Sequence, residues 1–596
     1  MRKLIFRLVA LALAASAASH PAPAAAYEDR LTTEEIEGTL EDTKLNEVFS
    51  QYLATIQMYD PERATTLGLH GADSSLTSRT TERAVRQLEA FRQLRAKLGE
   101  IRKDTMAPRL RVDYEVLDHM LEVDIYELAN LNRLANRPQY YLEPLFIVYQ
   151  MMTKDYDNYN TRAANALARL NALPDALLQA ERNLSKPPAI WTRQAISQAE
   201  DALDNISDFV PIFRGYTRYD PTLKTQFDET MDKVKLALSR YAQFLRKDVL
   251  PNSTSDFRSG DYTYGFYLER LHGLDMTPAG ALRYTKKAFK SSMSDLKKEA
   301  STVDAMEAKA EGWQGVMRKL PKEHPESGDV LKVFQDEVDR AYQHFDQHKV
   351  VEFPRQRLLI KRMPGFMSAV LPYVYYAPPF SLDDNRVSEL FVLLPADSLP
   401  APVKEKVLAA GFNYSQMELL TAYSVMPGLH LMSFEAASNP SRIRRISRQP
   451  VTSNGWACYS ELLSEEMGYY SSYWSRFLRC YVRALRAARA YADAALHTRK
   501  WTPEEAAAFF QENLGMSKPQ AEGEVLKISL NPTEGFSYIY GLDRILEMRR
   551  YYERTEAKYF DLRNFHTAFL KMGEIPIDRI ADEMRRIKRE EAKHIK

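Results

Sequence analysis

The chain has two cysteines in 596 residues, Cys458 and Cys480. Two thiols so far apart give no zinc-ribbon spacing. An oxidising compartment would permit a disulfide between them. Both fall in helical turns of apolar pattern, which favours two buried free thiols. The chain also lacks an excess of either charge: 81 Lys and Arg stand against 80 Asp and Glu. Without a broad basic field, nucleic acid is excluded as a partner. No apolar run beyond the N-terminus is long enough to span a membrane, so stable membrane insertion is not expected. There is no G-x-S-x-G, no Walker loop and no dinucleotide fingerprint, and Ser424 is not in a nucleophile elbow. No fixed repeat period supports a solenoid.

What is present is an ordinary globular composition, 45% hydrophobic and 27% charged. The length allows more than one domain, although a large helical body can be continuous. The N-terminus reads as a secretory signal. Arg2, Lys3 and Arg7 form a positive start, Leu8 to Ala18 a short apolar run, and Ala24-Ala25-Ala26 a small-residue cleavage site. Cleavage after Ala26 removes those three cations and takes the formal charge from +1 to −2. No cysteine follows the signal, so no lipoprotein anchor is expected. The mature protein is expected in the periplasm or outside the cell.

Residues 27–43 read as a flexible leader. From Leu45, apolar residues recur at helical spacing, with Val48, Phe49, Tyr52, Leu53 and Ile56 on one face. Asp60-Pro61 stops this helix and caps the next. Further amphipathic helices follow, with Pro174 read as a break between segments 160–172 and 174–184. Thr277-Pro278 and Thr502-Pro503 each pair a cap residue with proline at the first helical position. The character changes near 350. Runs at 358–361, 371–379 and 387–394 are rich in β-branched and aromatic residues and bounded by Pro and Asp. They predict a small antiparallel sheet, able to hold an extended peptide by its edge or to serve as a structural hairpin. From 403 onward the chain reads as helical again.

The most informative stretch is Thr421–Tyr470. It contains Tyr423-Ser424-Val425-Met426-Pro427-Gly428-Leu429-His430 and, two dozen residues on, Asn454-Gly455-Trp456-Ala457-Cys458-Tyr459-Ser460-Glu461. This frame resembles the bacterial exported family of domain of unknown function 885. The pattern there is H-E-x-x-P-G-H-H followed by E-G-W-A-x-Y-x-E. Other segments match in order: Pro61 to Gly68, Tyr375 to Pro379, Asp493 to His497, Asn531 to Tyr538 (departing at Glu534 and Gly535), and Phe560 to His566. The resemblance spans almost the whole mature chain. It is read as one helical domain over 44–596, with an N-terminal helical part (44–350), the sheet (351–400) and an active-site-like helical part (401–596).

The family is similar to helical zinc peptidases of the carboxypeptidase Taq kind. That resemblance implies a mainly α, multi-helix zincin-like body with a central cleft, and hydrolysis of a peptide-like bond by a zinc-activated water. It also implies that the two motif histidines and the downstream Glu bind metal, while the Glu beside the first His acts as base. Here those positions hold Tyr423, Ser424, Leu429 and Asn454, and only His430 remains. Leu offers no donor, an Asn amide is a poor one, and Ser is too weak a base. No metal is therefore expected at the standard site. Among the residues that match, Asp493 and His497 share a helix face and read either as a carboxylate orienting a substrate-contacting histidine or as a local pair. Tyr538 reads either as an oxyanion donor or as core packing. His430, Glu461 and His497 form a candidate relocated zinc site. Three hypotheses stand: a non-catalytic binder of peptide or envelope protein, a hydrolase with a non-standard metal site, and a purely structural helical protein.

Overall fold

The structure, a computed structural model, describes residues 40–594 apart from 255, 353–356, 368–372 and 397. The signal, most of the leader, and Leu371 and Pro372 of the middle sheet segment lie outside the described residues. The fold is mainly α, 75% helical, with one three-stranded mixed sheet. No described helix is long and apolar enough to cross a membrane.

Helix α1 (Leu40–Tyr59) begins inside the expected leader and buries the stripe read from the sequence. Asp60 ends it and caps α2 (Pro61–Thr66), its carboxylate accepting from the Arg63 N–H. Beyond a helix at Thr81–Gly99 lie α3 (Pro108–Tyr126), α4 (Glu143–Thr153) and α5 (Tyr159–Asn183). Helix α5 runs straight through Pro174, where the sequence predicted a break. Proline removes one backbone bond, but Leu170, Leu173 and Leu177 beside it are buried in a common apolar cluster. That packing outweighs the missing bond. Helix α6 (Pro278–Val303) starts on the Thr277 cap, as expected.

The sheet comprises β1 (Leu358–Arg362), β2 (Val374–Ala377) and β3 (Ser388–Val392), in the order β1-β3-β2. It is mixed rather than antiparallel throughout. β2 and β3 pair antiparallel, with Tyr375 opposite Phe391, while β1 and β3 pair parallel, with Ile360 opposite Leu390. The reason is topological. The chain leaves β1, forms the far edge β2, and returns through 378–387 to place β3 between them. β3 is buried at every residue, as a central strand covered on both faces must be.

The C-terminal half supplies α7 (Tyr414–Ser424), α8 (Leu429–Ala437), α9 (Pro450–Glu466), α10 (Tyr473–His497), α11 (Glu534–Glu556), α12 (Leu562–Lys571) and α13 (Ile577–His594). The expected Thr502 cap forms a full capping box with Glu505. The largest apolar cluster joins α1 and α3 to the sheet and to α7, α9, α11 and α12. Cys458 and Cys480 are buried free thiols.

Candidate functional site

Helix α7 ends at Ser424, and a short connector turns the chain into α8. Its Met426–Pro427 bond is cis. At Gly428 a Cβ would lie 1.9 Å from the Tyr423 carbonyl oxygen, so no other residue fits the turn. The connector is tied to α9: the Pro427 carbonyl accepts from the Trp456 indole N–H (2.8 Å) and the Ser460 hydroxyl (3.1 Å). Trp456 is fully buried. Helix α9 in turn meets α11 backbone to backbone, because Gly455 faces Gly541 with no side chain between them. The residues that carry the Pro-Gly and Gly-Trp-Ala frame thus fix three helices against one another.

The residues at the expected chemical positions are engaged by other side chains or packed. Tyr423 lies on the guanidinium of Arg486, 4.4 Å from its ring centroid. Burial pushes the phenol of Tyr423 well above its usual range, which opposes the phenolate a metal would need. Arg486 forms a two-pronged ion pair with Glu461 (2.6 and 2.9 Å) and sits 5.8 Å from the Tyr538 ring. Ser424 is buried, and Leu429 packs on the main core. Asn454 donates to the Ser537 hydroxyl at 2.8 Å. This set does not offer zinc three donors and an open position.

His430 faces the sheet. Its Nδ1 is 3.3 Å from the Tyr376 hydroxyl, its Nε2 is buried without a partner, and burial lowers its pKa to about 4. His497 lies in another network: Nδ1 accepts from the Ser259 N–H, and Nε2–H donates to the Ile528 carbonyl. Burial lowers its pKa to about 4 as well. Asp493 is 3.8 Å from His497 Nε2, too far for a hydrogen bond. It accepts instead from the Thr533 and Phe536 N–H groups at the start of α11 and from the Tyr264 hydroxyl. Burial raises its pKa to about 8. Asp493 thus caps α11 beside a separately satisfied histidine instead of bonding to His497. The expected grouping of His430, Glu461 and His497 does not form either, because the two histidines and the Arg486-bound carboxylate belong to separate networks. Among the described residues no three His, Cys, Asp or Glu side chains cluster to hold a metal. Tyr538 donates to Glu534 at 3.3 Å. The sequence reading missed Arg486. Its signal was visible as Arg483, Arg486 and Arg489 at three-residue spacing within an Ala-rich helix that also carries Asp493.

Two adjoining cavities, of about 470 and 370 Å³, form a cleft; another of about 370 Å³, lined by Tyr552, Phe565 and Met584 among others, shares no lining residue with them. The two cavities of the cleft share Leu271, Arg448 and Gln449. Tyr375 of β2 and the segment Pro378–Ser381 wall the larger cavity; Asn454 and Glu534 border the smaller. Neither Asp493 nor His497 lines either cavity.

The lip formed by the β2–β3 connection is clamped to the N-terminal helices by His70. Its ring bridges Asp73 (2.9 Å) and Asp383 (2.8 Å) and stacks on Tyr156. Burial alone would lower the pKa of His70, but the hydrogen bonds to Asp383 and Asp73 outweigh it and raise it to about 9. A group raised on folding stabilises fully below its unfolded pKa, about 6.5 for His. This contribution should therefore be lost as pH rises from there through 9. Denaturant titrations at pH 6 and pH 9.5 should show that His70→Gln costs stability at the lower pH and much less at the higher. Equal costs at both would refute the charged clamp.

Helices folded around a small mixed sheet, with a cleft beside the sheet edge, define a mainly-α cleft protein. The chain belongs to the bacterial proteins of unknown function designated DUF885, whose family model matches residues 61–584. Its fold is similar to that of a candidate lipoprotein of unknown function from Shewanella oneidensis, with TM-score 0.72 and 19% identity over 92% of this chain and 100% of that one. It is also similar to a candidate lipoprotein from Colwellia psychrerythraea, with TM-score 0.74 and 17% identity over 91% of this chain and 99% of that one. None of the curated proteins compared with the chain matches it.

Proposed function

We propose that this is an exported protein, periplasmic or extracellular, that holds a peptide or a segment of an envelope protein in the cleft beside β2 without zinc-dependent hydrolysis. The observation that carries this reading is a contrast. The cleft is open, while the positions that would work a peptidase-like centre are bonded to other side chains or packed. Glu461 is taken by Arg486, Asn454 by Ser537, and Tyr423 by the guanidinium face. The resemblance to zinc peptidases then describes a retained frame without its reacting groups. Peptide as the ligand class is supported by the sheet: β2 is an edge strand, and Tyr375 with the segment after it forms cleft wall. The reading of a hydrolase with a relocated metal site draws no support from the placement of His430, Glu461 and His497.

The test is to incubate the mature protein with a mixed-sequence peptide library, separate bound from free peptides, and identify both by mass spectrometry. Intact peptides enriched in the bound fraction, with no new termini, are expected. Cleavage products that accumulate with time and protein concentration would overturn the non-catalytic reading.

A further inference from the structure

We propose that the cleft contains a built subsite for an oxyanion, a carboxylate or phosphate group on the bound ligand, held by Lys154 and Arg448. The proposal rests on the cleft-binding reading above and names the chemistry of its ligand.

The larger cavity is lined by four cations, Arg63, Lys154, Arg270 and Arg448, and by one carboxylate, Asp124. Two of the cations are already matched. Arg63 pairs with Asp124 at 2.8 Å, and Arg270 with Glu122 and Glu269 at 3.2 and 2.9 Å. Of the other two, Arg448 makes only a long ion pair, to Glu574 at 3.8 Å, and among the described residues Lys154 makes none. Lys154 is only 2% exposed, and its ammonium has no carboxylate within 4 Å among the described residues. It donates to the Pro378 carbonyl and lies 4.4 Å from the Phe380 ring centroid. A buried ammonium whose direct contacts are a carbonyl and a ring face, with Glu389 and Asp383 acting on it only from beyond 4 Å, is costly, and an anion in the cavity would relieve part of that cost. Arg448 donates to the Ser381 hydroxyl at 2.7 Å and to backbone carbonyls, and its nearest carboxylate, Glu574, is 3.8 Å away. The two cations thus hold opposite ends of the Pro378–Ser381 segment that walls the cavity. Arginine presents a planar fork suited to oxyanions, and lysine adds a compact charge.

A second, independent observation points to a ligand at the same place. Gln449, next to Arg448, is 4% exposed and lines both cavities, yet its Oε1 has no partner. His272, 1% exposed on the smaller cavity, leaves Nδ1 unpartnered, and His119 does the same on the larger. Buried polar atoms are nearly always satisfied, so three unpartnered atoms on side chains that line one cleft mark a wall built for polar contacts. A peptide-like ligand carrying an acidic group meets both needs: its anion reaches Lys154 and Arg448, and its amides face the polar side chains of that wall.

The test is calorimetric titration of the mature protein, at fixed ionic strength, with glutarate, inorganic phosphate and the uncharged analogue glutaramide. Saturable binding of glutarate or phosphate, without binding of glutaramide, is expected, and the preferred anion identifies the source chemistry. Arg448→Met or Lys154→Met should weaken it by at least about tenfold, the loss of one charge-assisted hydrogen bond. The Arg448 side chain is 41% exposed, so that variant decides the matter should the Lys154 variant fail to fold. No saturable anion binding, equal binding of glutaramide, or affinity unchanged in Arg448→Met would overturn the subsite. Peptides separate the two readings. If acidic and neutral peptides bind alike, the cleft reading stands and the subsite falls. If the anions bind and no peptide does, the subsite stands and the peptide reading falls.

Discussion

Replacing Glu461 by alanine is expected to destabilise the protein by about 3–5 kcal/mol, the range seen when one partner of a buried ion pair is removed. Glu461 is 3% and Arg486 8% exposed, and both Arg486–Glu461 hydrogen bonds are short. Without the carboxylate, a guanidinium remains between Tyr423 and Tyr538 with no charge to balance it. The ring faces recover part of the loss, about 0.5–2 kcal/mol for a cation over an aromatic face. The double substitution Glu461→Leu with Arg486→Met should cost less than Glu461→Ala alone, because it removes the charge together with its partner. Denaturant unfolding of the three proteins measures this directly. A loss below about 1 kcal/mol for Glu461→Ala, the range of an exposed pair, would show that Arg486 finds another partner or water.

The second large effect concerns the frame. In Gly541→Ala the new methyl would lie 2.0 Å from the Val451 carbonyl oxygen and 2.7 Å from the Gly455 Cα. These are backbone atoms of α9 and cannot rotate away, so α9 and α11 must separate. The cost should reach or exceed the upper end of the about 1–3 kcal/mol typical of overpacking. The same shift would carry Asn454 on α9 away from Glu534 on α11, both of which border the smaller cavity, so peptide affinity should fall with stability. The control is Gly523→Ala on the helix Lys518–Leu530, where nothing lies within 4 Å of the added carbon. That change should be neutral or stabilising by up to about 1 kcal/mol. Equal effects at the two glycines would contradict the close crossing.

The sequence carried the helices well because their signals are local. The Asp60, Thr277 and Thr502 caps, each followed by proline, act within one turn, and each forms where expected. Pro174 misled because its local cost is outweighed by the leucines packed around it, which only the tertiary structure reveals. The sheet segments were legible but their pairing was not: whether β1 meets β2 or β3 depends on the path between them. The site divides in the same way. That four motif positions lack metal-binding chemistry is written in the residue types. That Arg486 from α10 reaches Glu461 on α9 is a contact between residues 25 positions apart on different helices. The spacing of Arg483, Arg486 and Arg489 shows the cations but not which carboxylate one of them meets. The frame residues answer to packing rather than to chemistry. Gly428, Gly455 and Trp456 are required by packing, whatever the cleft does.

The most direct test of the central claim is elemental analysis of the mature protein, purified without chelators and equilibrated with zinc. A cleft that binds without a working metal centre predicts far less than one zinc per chain, unchanged by His430→Ala or His497→Ala. One zinc per chain, lost on either substitution, would contradict the account and restore the hydrolase.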